Sequence, residues 1–580
     1  KGTKIAKTGG KALKTFAKVA KAVDKLSDSS KIVRGIIKNG KKVIVGAMMV
    51  LNFAGMANGV AQVKAGIEGI IKDGLDEDDL FNITRGTFDV VRGIWTHNSL
   101  KKSVCWFDPI NVVNGSFYLN AIDLEIEDRG MGICIRRQYN SIINRTGILG
   151  TGWVFEYESS ITKINDDEVS LLYNDGHIEE FVKSDGKWKK KNSLDEEEVL
   201  TEDENCFTVT YKDKTKYIYN KSGRLEKICD KNGNTITILY GSDNLISKII
   251  SPGGKTISFE NFQGKIVKIV DNTGREVKYR YDRDNLISAT LPNGGVISYT
   301  YEKHYITSVT DMNGNQYVKN DFDENGRVIR QVVNDQSTIE VVYDDINMLN
   351  TFTCLATGAV RKCRYNVLGY ITELINDDGS IERYNYDEYG NKSSETDANG
   401  RTTSRVFDSR GNVLEEIYPD GNIVRYEYDK NDNLIKKCSK SGREELFVYD
   451  EKGNLIEEII KLDNDSYSKT VYLYDGYGRV ISRTDSESNV TLYEYDRMDL
   501  DKPGIVRDPQ GNTYKYGYDK AGRMTSITTD YGTVEFSYNE LNKKTLIRDA
   551  KGNTTYMVYD KMGNLVKKVM PNDYSPDIGN

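Results

Sequence analysis

An aromatic residue followed by Asp or Asn recurs about every 21 residues from position 219 to position 559. From Phe322 onward the successive gaps are 21, 22, 21, 21, 21, 21, 25, 21, 23, 20 and 21 residues. A period of this length, kept over so many copies, is typical of proteins that stack one small supersecondary unit many times. The repeat therefore predicts an array of units, which agrees with a length of 580 residues, too long for one compact core.

Each unit has the pattern of one β-hairpin. In the segment Ile423-Val-Arg-Tyr-Glu-Tyr-Asp429, alternate side chains fall on the same face, as in a strand. The Asp that ends the strand can accept a backbone N–H and start a turn, and the Gly three residues later tolerates a positive φ. A second strand such as 455–459 and a second turn such as 397–400 complete the unit.

The unit is defined by its aromatic residue, by its Asp and by the Gly of its turn. A single hairpin cannot bury its own face, so we expect the units to pair edge to edge in one long antiparallel sheet that coils under its own twist. The predicted fold class is mainly β, preceded by an α-helical region. The clearest structural repeat positions are Tyr386, Asp387, Gly390, Tyr428, Asp429, Tyr449, Asp450, Gly453, Tyr518, Asp519, Gly522, Tyr559, Asp560 and Gly563.

Residues 1–100 follow a helical period instead. Lysines recur every three or four residues between Lys4 and Lys25, with apolar residues on another face, which predicts an amphipathic helix. Residues 43–63 carry no charge, and this run suits either a membrane span or a buried glycine-rich helix. Residues 1–42 hold thirteen Lys or Arg against two Asp. This density favours anionic lipid or nucleic acid, and a solvated helix face is the plainer alternative.

Composition limits the chemistry of the rest. The 38 Tyr, 51 Gly and only 8 Pro fit short strands joined by tight turns, and a net charge of −7 does not favour nucleic-acid binding by the array. The three His and seven Cys are scattered, so neither a metal site nor a disulfide framework is predicted. No nucleotide-binding or hydrolase motif is present, so the sequence predicts no catalytic residue, no cofactor and no enzyme.

The pattern Tyr-Asp-x-x-Gly-Asn/Arg-Leu/Val at 21-residue spacing resembles the YD repeat of Rhs proteins, bacterial wall-associated proteins, insecticidal toxin-complex subunits and animal teneurins. The resemblance covers about residues 200–570. Residues 101–200 resemble the strand-rich domain that precedes YD repeats in Rhs-type polymorphic toxins, and we call this segment the leading domain. Its Trp153 and Trp188 are expected to be packing residues. The motif positions that carry this resemblance are Asp108, Pro109, Gly115, Tyr139, Gly152 and Trp153.

The resemblance implies a coiled β-sheet that closes into a hollow shell, which encloses or presents a C-terminal toxin not contained in this chain. The implied partners are that toxin, its immunity protein and secretion machinery, with membrane contact through residues 1–63. The implied location is secreted or on the surface of a bacterium. The predicted domains are 1–100, 101–200, 201–570 and a truncated tail 571–580, the front part of a longer protein.

Two features qualify the resemblance. The self-cleaving core motif of the family has Leu after Asp-Pro-x-Gly, whereas Asp508-Pro-Gln-Gly511 is followed by Asn512 at an ordinary second-turn position, so no catalytic Asp is assigned. The repeated Tyr also leaves open a surface adhesin or carbohydrate-binding array, because Tyr rings stack on sugars and repeats give avidity. Binding requires the second Tyr of each pair on the outer face, whereas a container requires it between strands.

Overall fold

The computed structural model describes residues 109–191, 197–462 and 466–571. The predicted α-helical region 1–100, with its uncharged run 43–63, lies outside these residues, as do Asp108 and residues 572–580. Every element of the described residues is a β-strand, which confirms a mainly β chain. These ranges contain no helix suited to crossing a bilayer.

Nine strands form the leading domain, residues 109–191, as one three-stranded sheet (β1, β2, β5), one two-stranded sheet (β3, β4) and one four-stranded sheet (β6–β9). Their bounds are β1 (Tyr118–Ile126), β2 (Ile133–Asn140), β3 (Thr146–Gly147), β4 (Gly150–Thr151), β5 (Trp153–Phe155), β6 (Ser160–Asn165), β7 (Glu168–Leu172), β8 (Ile178–Ser184) and β9 (Lys187–Lys190).

The array is a single sheet of 36 strands in which every strand pairs antiparallel with the next one along the chain. The strands are β10 (Glu198–Glu202), β11 (Cys206–Tyr211), β12 (Lys216–Asn220), β13 (Leu225–Cys229), β14 (Thr235–Tyr240), β15 (Ile246–Ile250), β16 (Thr256–Phe262), β17 (Lys265–Asp271), β18 (Glu276–Asp282), β19 (Asn285–Thr290), β20 (Val296–Glu302), β21 (Tyr305–Thr310), β22 (Gln316–Phe322), β23 (Val328–Val333), β24 (Ser337–Asp344), β25 (Leu349–Cys354), β26 (Val360–Tyr365), β27 (Ile371–Ile375), β28 (Ile381–Tyr386), β29 (Lys392–Thr396), β30 (Thr402–Phe407), β31 (Val413–Ile417), β32 (Ile423–Tyr428), β33 (Leu434–Ser439), β34 (Glu444–Tyr449), β35 (Leu455–Lys461), β36 (Tyr467–Tyr474), β37 (Val480–Thr484), β38 (Val490–Glu494), β39 (Ile505–Arg507), β40 (Thr513–Tyr518), β41 (Met524–Thr529), β42 (Gly532–Tyr538), β43 (Lys544–Arg548), β44 (Thr554–Tyr559) and β45 (Leu565–Val569).

A β-bulge recurs beside the aromatic residue of the repeat. In the pair β34–β35, Val448 lies opposite Glu457 whereas Tyr449 lies opposite Leu455, so Ile456 is left out of the pairing. A bulge bends its strand and increases the right-handed twist locally. Repetition of the bulge along the array therefore adds curvature in a constant sense. The same shift occurs beside Tyr219, Tyr240, Tyr281, Tyr301, Phe322, Tyr365, Tyr386, Phe407, Tyr428, Tyr474, Tyr518, Tyr538 and Tyr559.

The sheet coils far enough for its turns to meet. We call β10–β30 the first winding and β31–β45 the second winding. Lys231 Nζ donates to the carbonyl of Gly453 at 2.7 Å, 222 residues away, and Asn293 Nδ2 donates to the carbonyl of Lys561 at 2.8 Å, 268 residues away. At each of these contacts a second turn of the first winding lies against an aromatic-Asp turn of the second winding.

These contacts fix the size of the coil. They set 21 to 25 strands to one winding. With strands spaced about 4.8 Å apart, the backbone ring has a circumference of about 100–120 Å and a diameter of about 32–38 Å.

The hydrophobic core lies between the first winding and the leading domain. Buried side chains of the leading domain, such as Trp153 and Phe155, pack on buried array side chains such as Phe259 and Tyr299. The leading domain reaches from Tyr219 on β12 to Asn350 on β25. On a flat sheet that distance is about 60 Å, twice the diameter of about 30 Å expected for a domain of this length. The face of the sheet that receives the domain is therefore concave.

Glycine is required where the repeat turn needs a positive φ. Gly390, Gly453, Gly522 and Gly563 have φ values of 82°, 89°, 86° and 82°. A Cβ at Gly390 would also lie 2.3 Å from the hydroxyl oxygen of Tyr370, whereas Gly400, at φ 81°, has open space around it. The two positions separate backbone strain from crowding.

We expect Gly400→Ala to destabilise its hairpin by about 1–2 kcal/mol, the cost of the left-handed backbone for a residue with a Cβ. Gly390→Ala should cost more because the Tyr370 ring must also move. Amide hydrogen exchange of β28–β30 measures both, since a repeat array opens locally. Equal losses in the two variants would contradict the role given to Tyr370.

Candidate functional site: the repeat turn and the leading-domain interface

The Asp of the repeat turn is fully engaged by its own turn. Asp387 Oδ1 accepts the backbone N–H groups of Tyr389 and Asn391 at 3.0 and 2.8 Å, and Oδ2 accepts the side-chain amide of Asn391 at 3.0 Å. This explains Asn or Arg after the Gly, because either side chain can donate to the second carboxylate oxygen. Asn donates in this way to Asp429, Asp450 and Asp560, and Arg523 Nε donates to Asp519.

The second turns of the hairpins use the same device. Asp508, in the segment compared with the family's core motif, accepts the N–H groups of Gln510 and Asn512 at 3.0 and 2.8 Å. Its other oxygen accepts the side-chain amide of Asn512 at 2.7 Å. Asp508 is thus placed as a turn residue, in the manner of its counterparts elsewhere in the array.

The hydroxyl of the repeat Tyr joins successive hairpins. Backbone pairing of β33 with β34 stops at Lys436 and Leu446, and beyond that point Tyr449 donates its hydroxyl to the carbonyl of Leu434 at 2.9 Å. The hydroxyl therefore supplies a donor past the end of the ladder. The acceptor is the residue fifteen positions earlier for Tyr240, Tyr281, Tyr301, Tyr343, Tyr449, Tyr495, Tyr518 and Tyr559.

These rings are placed between hairpins and not on display. Tyr386 stacks on Tyr370 with ring centroids 4.8 Å apart, and burial raises the pKa of Tyr386 to about 12. Burial likewise raises the pKa of Tyr428 and of Tyr449 above the ordinary value. A ring that is packed on its neighbour and hydrogen-bonded at its hydroxyl is poorly placed to stack on a sugar. This placement does not favour the carbohydrate-binding alternative.

The motif residues of the leading domain lie at its contact with the array. Tyr139 is 1% exposed, and its hydroxyl donates to the carbonyl of His304 at 2.9 Å. Trp153 is fully buried and its Nε1 donates to the hydroxyl of Tyr301 at 3.1 Å. The carbonyl of Gly115 accepts the N–H of Val328 at 2.8 Å. Gly152 has φ 78°, and a Cβ there would lie 2.7 Å from the Tyr139 ring. Pro109 accepts the N–H of Tyr118 within the domain.

A buried ion pair lies at the centre of this contact. Arg137 Nε donates to Asp123 Oδ2 at 2.6 Å, and both side chains are almost fully buried. Arg137 Nη1 donates to the hydroxyl of Tyr299, and the hydroxyl of Tyr279 donates to Asp123 Oδ2, both at 2.6 Å. Burial alone would lower the pKa of Arg137, but the charge of Asp123 outweighs it and holds that pKa well above the ordinary value. The pair thus ties the leading domain to β18 and β20.

Comparison with known families agrees with this geometry. Residues 334–505 and 501–575 match the family model described as Teneurin YD-shell, and residues 107–181 match a domain of unknown function (DUF6531). The repeat array belongs to the YD-repeat family of Rhs and teneurin proteins. In the YD array the conserved-looking Tyr, Asp and Gly positions are the ones that close and join the hairpins.

Curated relatives share a short part of this YD-repeat chain. The tRNA nuclease WapA of Bacillus subtilis (strain 168) and the tRNA3(Ser)-specific nuclease WapA of Bacillus spizizenii are each 29% identical over 140 residues, 24% of this chain. The matched part is 6% of the length of either relative. The nuclease activity stated in their names is therefore not assigned to this chain.

Solved structures with a similar course of chain include a Photorhabdus luminescens Tc holotoxin pore, at 12% identity and a TM-score of 0.41 over 78% of this chain and 29% of that one. Another is the crystal structure of TcdB2-TccC3, at 11% identity and a TM-score of 0.41 over 83% of this chain and 32% of that one.

Some functional positions of the YD chain carried no sequence signal of their own. Arg137 lies in a segment that resembles the family, but nothing in the sequence paired it with Asp123, Tyr279 or Tyr299. The contacts join residues 14 to 162 positions apart. A lone Arg inside an alternating strand pattern would have been the available signal, because the alternation places it on the buried face.

We expect Tyr449→Phe to destabilise its repeat by about 1 kcal/mol, because the carbonyl of Leu434 loses its donor while the ring is kept. Hydrogen exchange of β33 and β34 provides the measurement. Tyr531, which is 93% exposed, is the matched control, and Tyr531→Phe should change nothing. An unchanged β33 in Tyr449→Phe would show that the hydroxyl does not join the hairpins.

The turn carboxylates predict loss of stability in acid. The side-chain amide of the Asn four residues later lowers the pKa of Asp485, of Asp549 and of Asp560. A folded pKa below the unfolded value gives stability that is present above about pH 3.9 and is lost as the pH falls through the folded values. The urea midpoint should therefore be steady from pH 7 to pH 5 and fall below about pH 4. A midpoint that rises on acidification contradicts this role.

Removing one partner of the buried pair should be costly. Arg137→Met leaves the Asp123 carboxylate buried without its cation, and we expect a loss of about 3–5 kcal/mol in the free energy of unfolding of the leading domain. The double variant Asp123→Leu, Arg137→Met should recover most of that loss, since both charges are gone. If the double variant is as unstable as Arg137→Met, the loss comes from packing and not from the unpaired charge.

Proposed function

We propose that the chain is a non-enzymatic repeat shell of a secreted contact-dependent toxin, which encloses or presents a toxin domain. An immunity protein and a secretion apparatus are the further partners in this proposal, and the location is outside the bacterial cell or on its surface. The observation that carries it is a coiled YD array whose concave face holds the leading domain in the first winding and continues beyond it.

The dimensions support a container. A backbone ring of about 32–38 Å leaves a lumen of about 25 Å once side chains of about 5 Å on each wall are subtracted. The leading domain occupies the first winding across β12 to β25. The same face of the following strands has no leading-domain strand packed against it in the described residues. The array therefore has inner surface available for a further occupant.

That further inner surface is polar. Arg405 on β30 donates to Glu395 Oε1 at 3.0 Å and to Glu416 Oε1 at 2.8 Å, so its charge is satisfied by neighbours on the same face. The hydroxyl of Tyr426 donates to Glu416 Oε2 at 3.4 Å. These side chains are half-buried without a packed core over them. A wall whose charges are paired among themselves can enclose a chain without binding one specific sequence.

The absence of an enzymatic role rests on the use of the repeat's acidic groups. The Asp of each repeat turn accepts two backbone N–H groups and a side-chain donor, so its oxygens are occupied by structure. The WapA relatives are named as tRNA nucleases, and this supports a toxin as the content of the shell.

Native protein purified from its own cells tests the enclosure. Protease digestion followed by mass spectrometry should leave a segment outside the YD array protected under native conditions and cleaved once urea opens the array. The chain 1–580 should show no turnover of tRNA or glycosides. Cleavage of every segment outside the array at the rate of an unfolded peptide contradicts enclosure. Turnover abolished by a single acidic substitution contradicts the non-enzymatic role.

A further inference from the structure

The tip of the β1–β2 hairpin, residues 127–130, contacts both windings at once. The guanidinium of Arg129 donates to the carbonyl of Pro252 at 3.0 Å in the first winding and to the carbonyl of Met498 at 2.8 Å in the second. It also lies 3.7 Å from the ring centre of Tyr477, in another turn of the second winding. One side chain of the leading domain thus bridges the seam between the windings.

The neighbouring tip residues make further contacts on both sides. Asp128 accepts the hydroxyl of Ser251 at 2.5 Å and the N–H of Gly253 at 2.6 Å, both in the first winding. The N–H of Gly130 donates to Asp501 Oδ2 at 2.6 Å, in the second winding. Other contacts across the seam are one or two hydrogen bonds between turns, such as Lys231 with Gly453. The hairpin tip concentrates several at one place.

The second-winding side of this junction is the loop that departs from the repeat. The interval from Tyr495 to Tyr518 is 23 residues, and residues 495–504 replace the short turn found in the other hairpins. The loop is built and not merely longer: Leu500 is 1% exposed, its carbonyl accepts Arg479 Nη1 at 3.0 Å, and Arg497 pairs with Asp499 at 2.5 Å.

Lys255 completes the junction from the first winding. Its Nζ donates to the backbone carbonyl of Glu127 at 2.5 Å and pairs with Asp499 Oδ2 at 3.1 Å. The Lys255 side chain is 5% exposed. A buried ammonium shared between the hairpin tip and the irregular loop ties the three segments together, because its charge needs both partners once water is excluded.

We propose that residues 127–130 form a clasp that holds the second winding against the first at loop 495–504. The clasp is the place at which separation of the two windings begins when the hairpin is displaced. The inference concerns the contacts of this chain alone and stands whatever the shell contains.

Arg129→Ala in the whole chain tests the clasp. Amide hydrogen exchange should become at least tenfold faster in residues 496–504 and 475–479, and protease should cut within 496–504. Exchange at the distant seam contact between Asn293 and Lys561 should be unchanged. Arg280→Ala, at an exposed Arg on β18, is the matched control and should change none of these rates.

Asp501→Ala removes the clasp from the other side and leaves the leading domain intact. It should loosen the same residues, and the double variant should add little to either single change, because both act on one junction. If Arg129→Ala fails to fold, Asp501→Ala alone carries the test. Unchanged exchange in residues 496–504, equal acceleration at every seam contact, or full additivity of the two variants would overturn the proposal.

Discussion

The hydrogen bond from the repeat Tyr to a carbonyl fifteen residues earlier is the contact on which the array depends. It acts where the backbone ladder between two hairpins ends, and it sits beside the bulge that bends the sheet. The Asp and Gly of the turn then fix where the next strand starts. With the ring, the carboxylate and the glycine each given one task, a unit of about 21 residues can be added repeatedly without a new core for each copy.

The leading domain gives the first winding the core that hairpins alone do not provide. Its contact with the array combines buried aromatic rings with the pair Arg137 and Asp123, and a pair of this kind contributes more to a single fixed geometry than to net stability. The second winding is supported differently, by hydrogen bonds between turns and by the hairpin tip at residues 127–130. The two windings therefore differ in what supports them although their repeats are alike.

The sequence predicted the local parts of this structure because they depend on neighbours a few residues apart. The hairpin unit, the turn Asp and the glycine at φ near 80° all follow from spacing within 21 residues. The seam between windings did not follow, since its contacts join residues 222 to 268 positions apart and add no period to the sequence. Arg129 and Asp128 read as ordinary loop residues, and only the 23-residue interval after Tyr495 marked the place where they bind. The helical prediction for residues 1–100 lies outside the described residues and stays a prediction.

Contacts between windings make the number of residues per turn of the coil a matter of phase. Each turn of the first winding lies against a particular turn of the second, as Asn232 does against Asn454. Inserting one whole hairpin between them would keep every local hydrogen bond, yet it would rotate all later turns by one position against the winding beneath. The pairs at the seam would then exchange partners together. A protein built in this way tolerates substitutions inside a unit more readily than a change in the number of units, and its length is set by the closure of a ring.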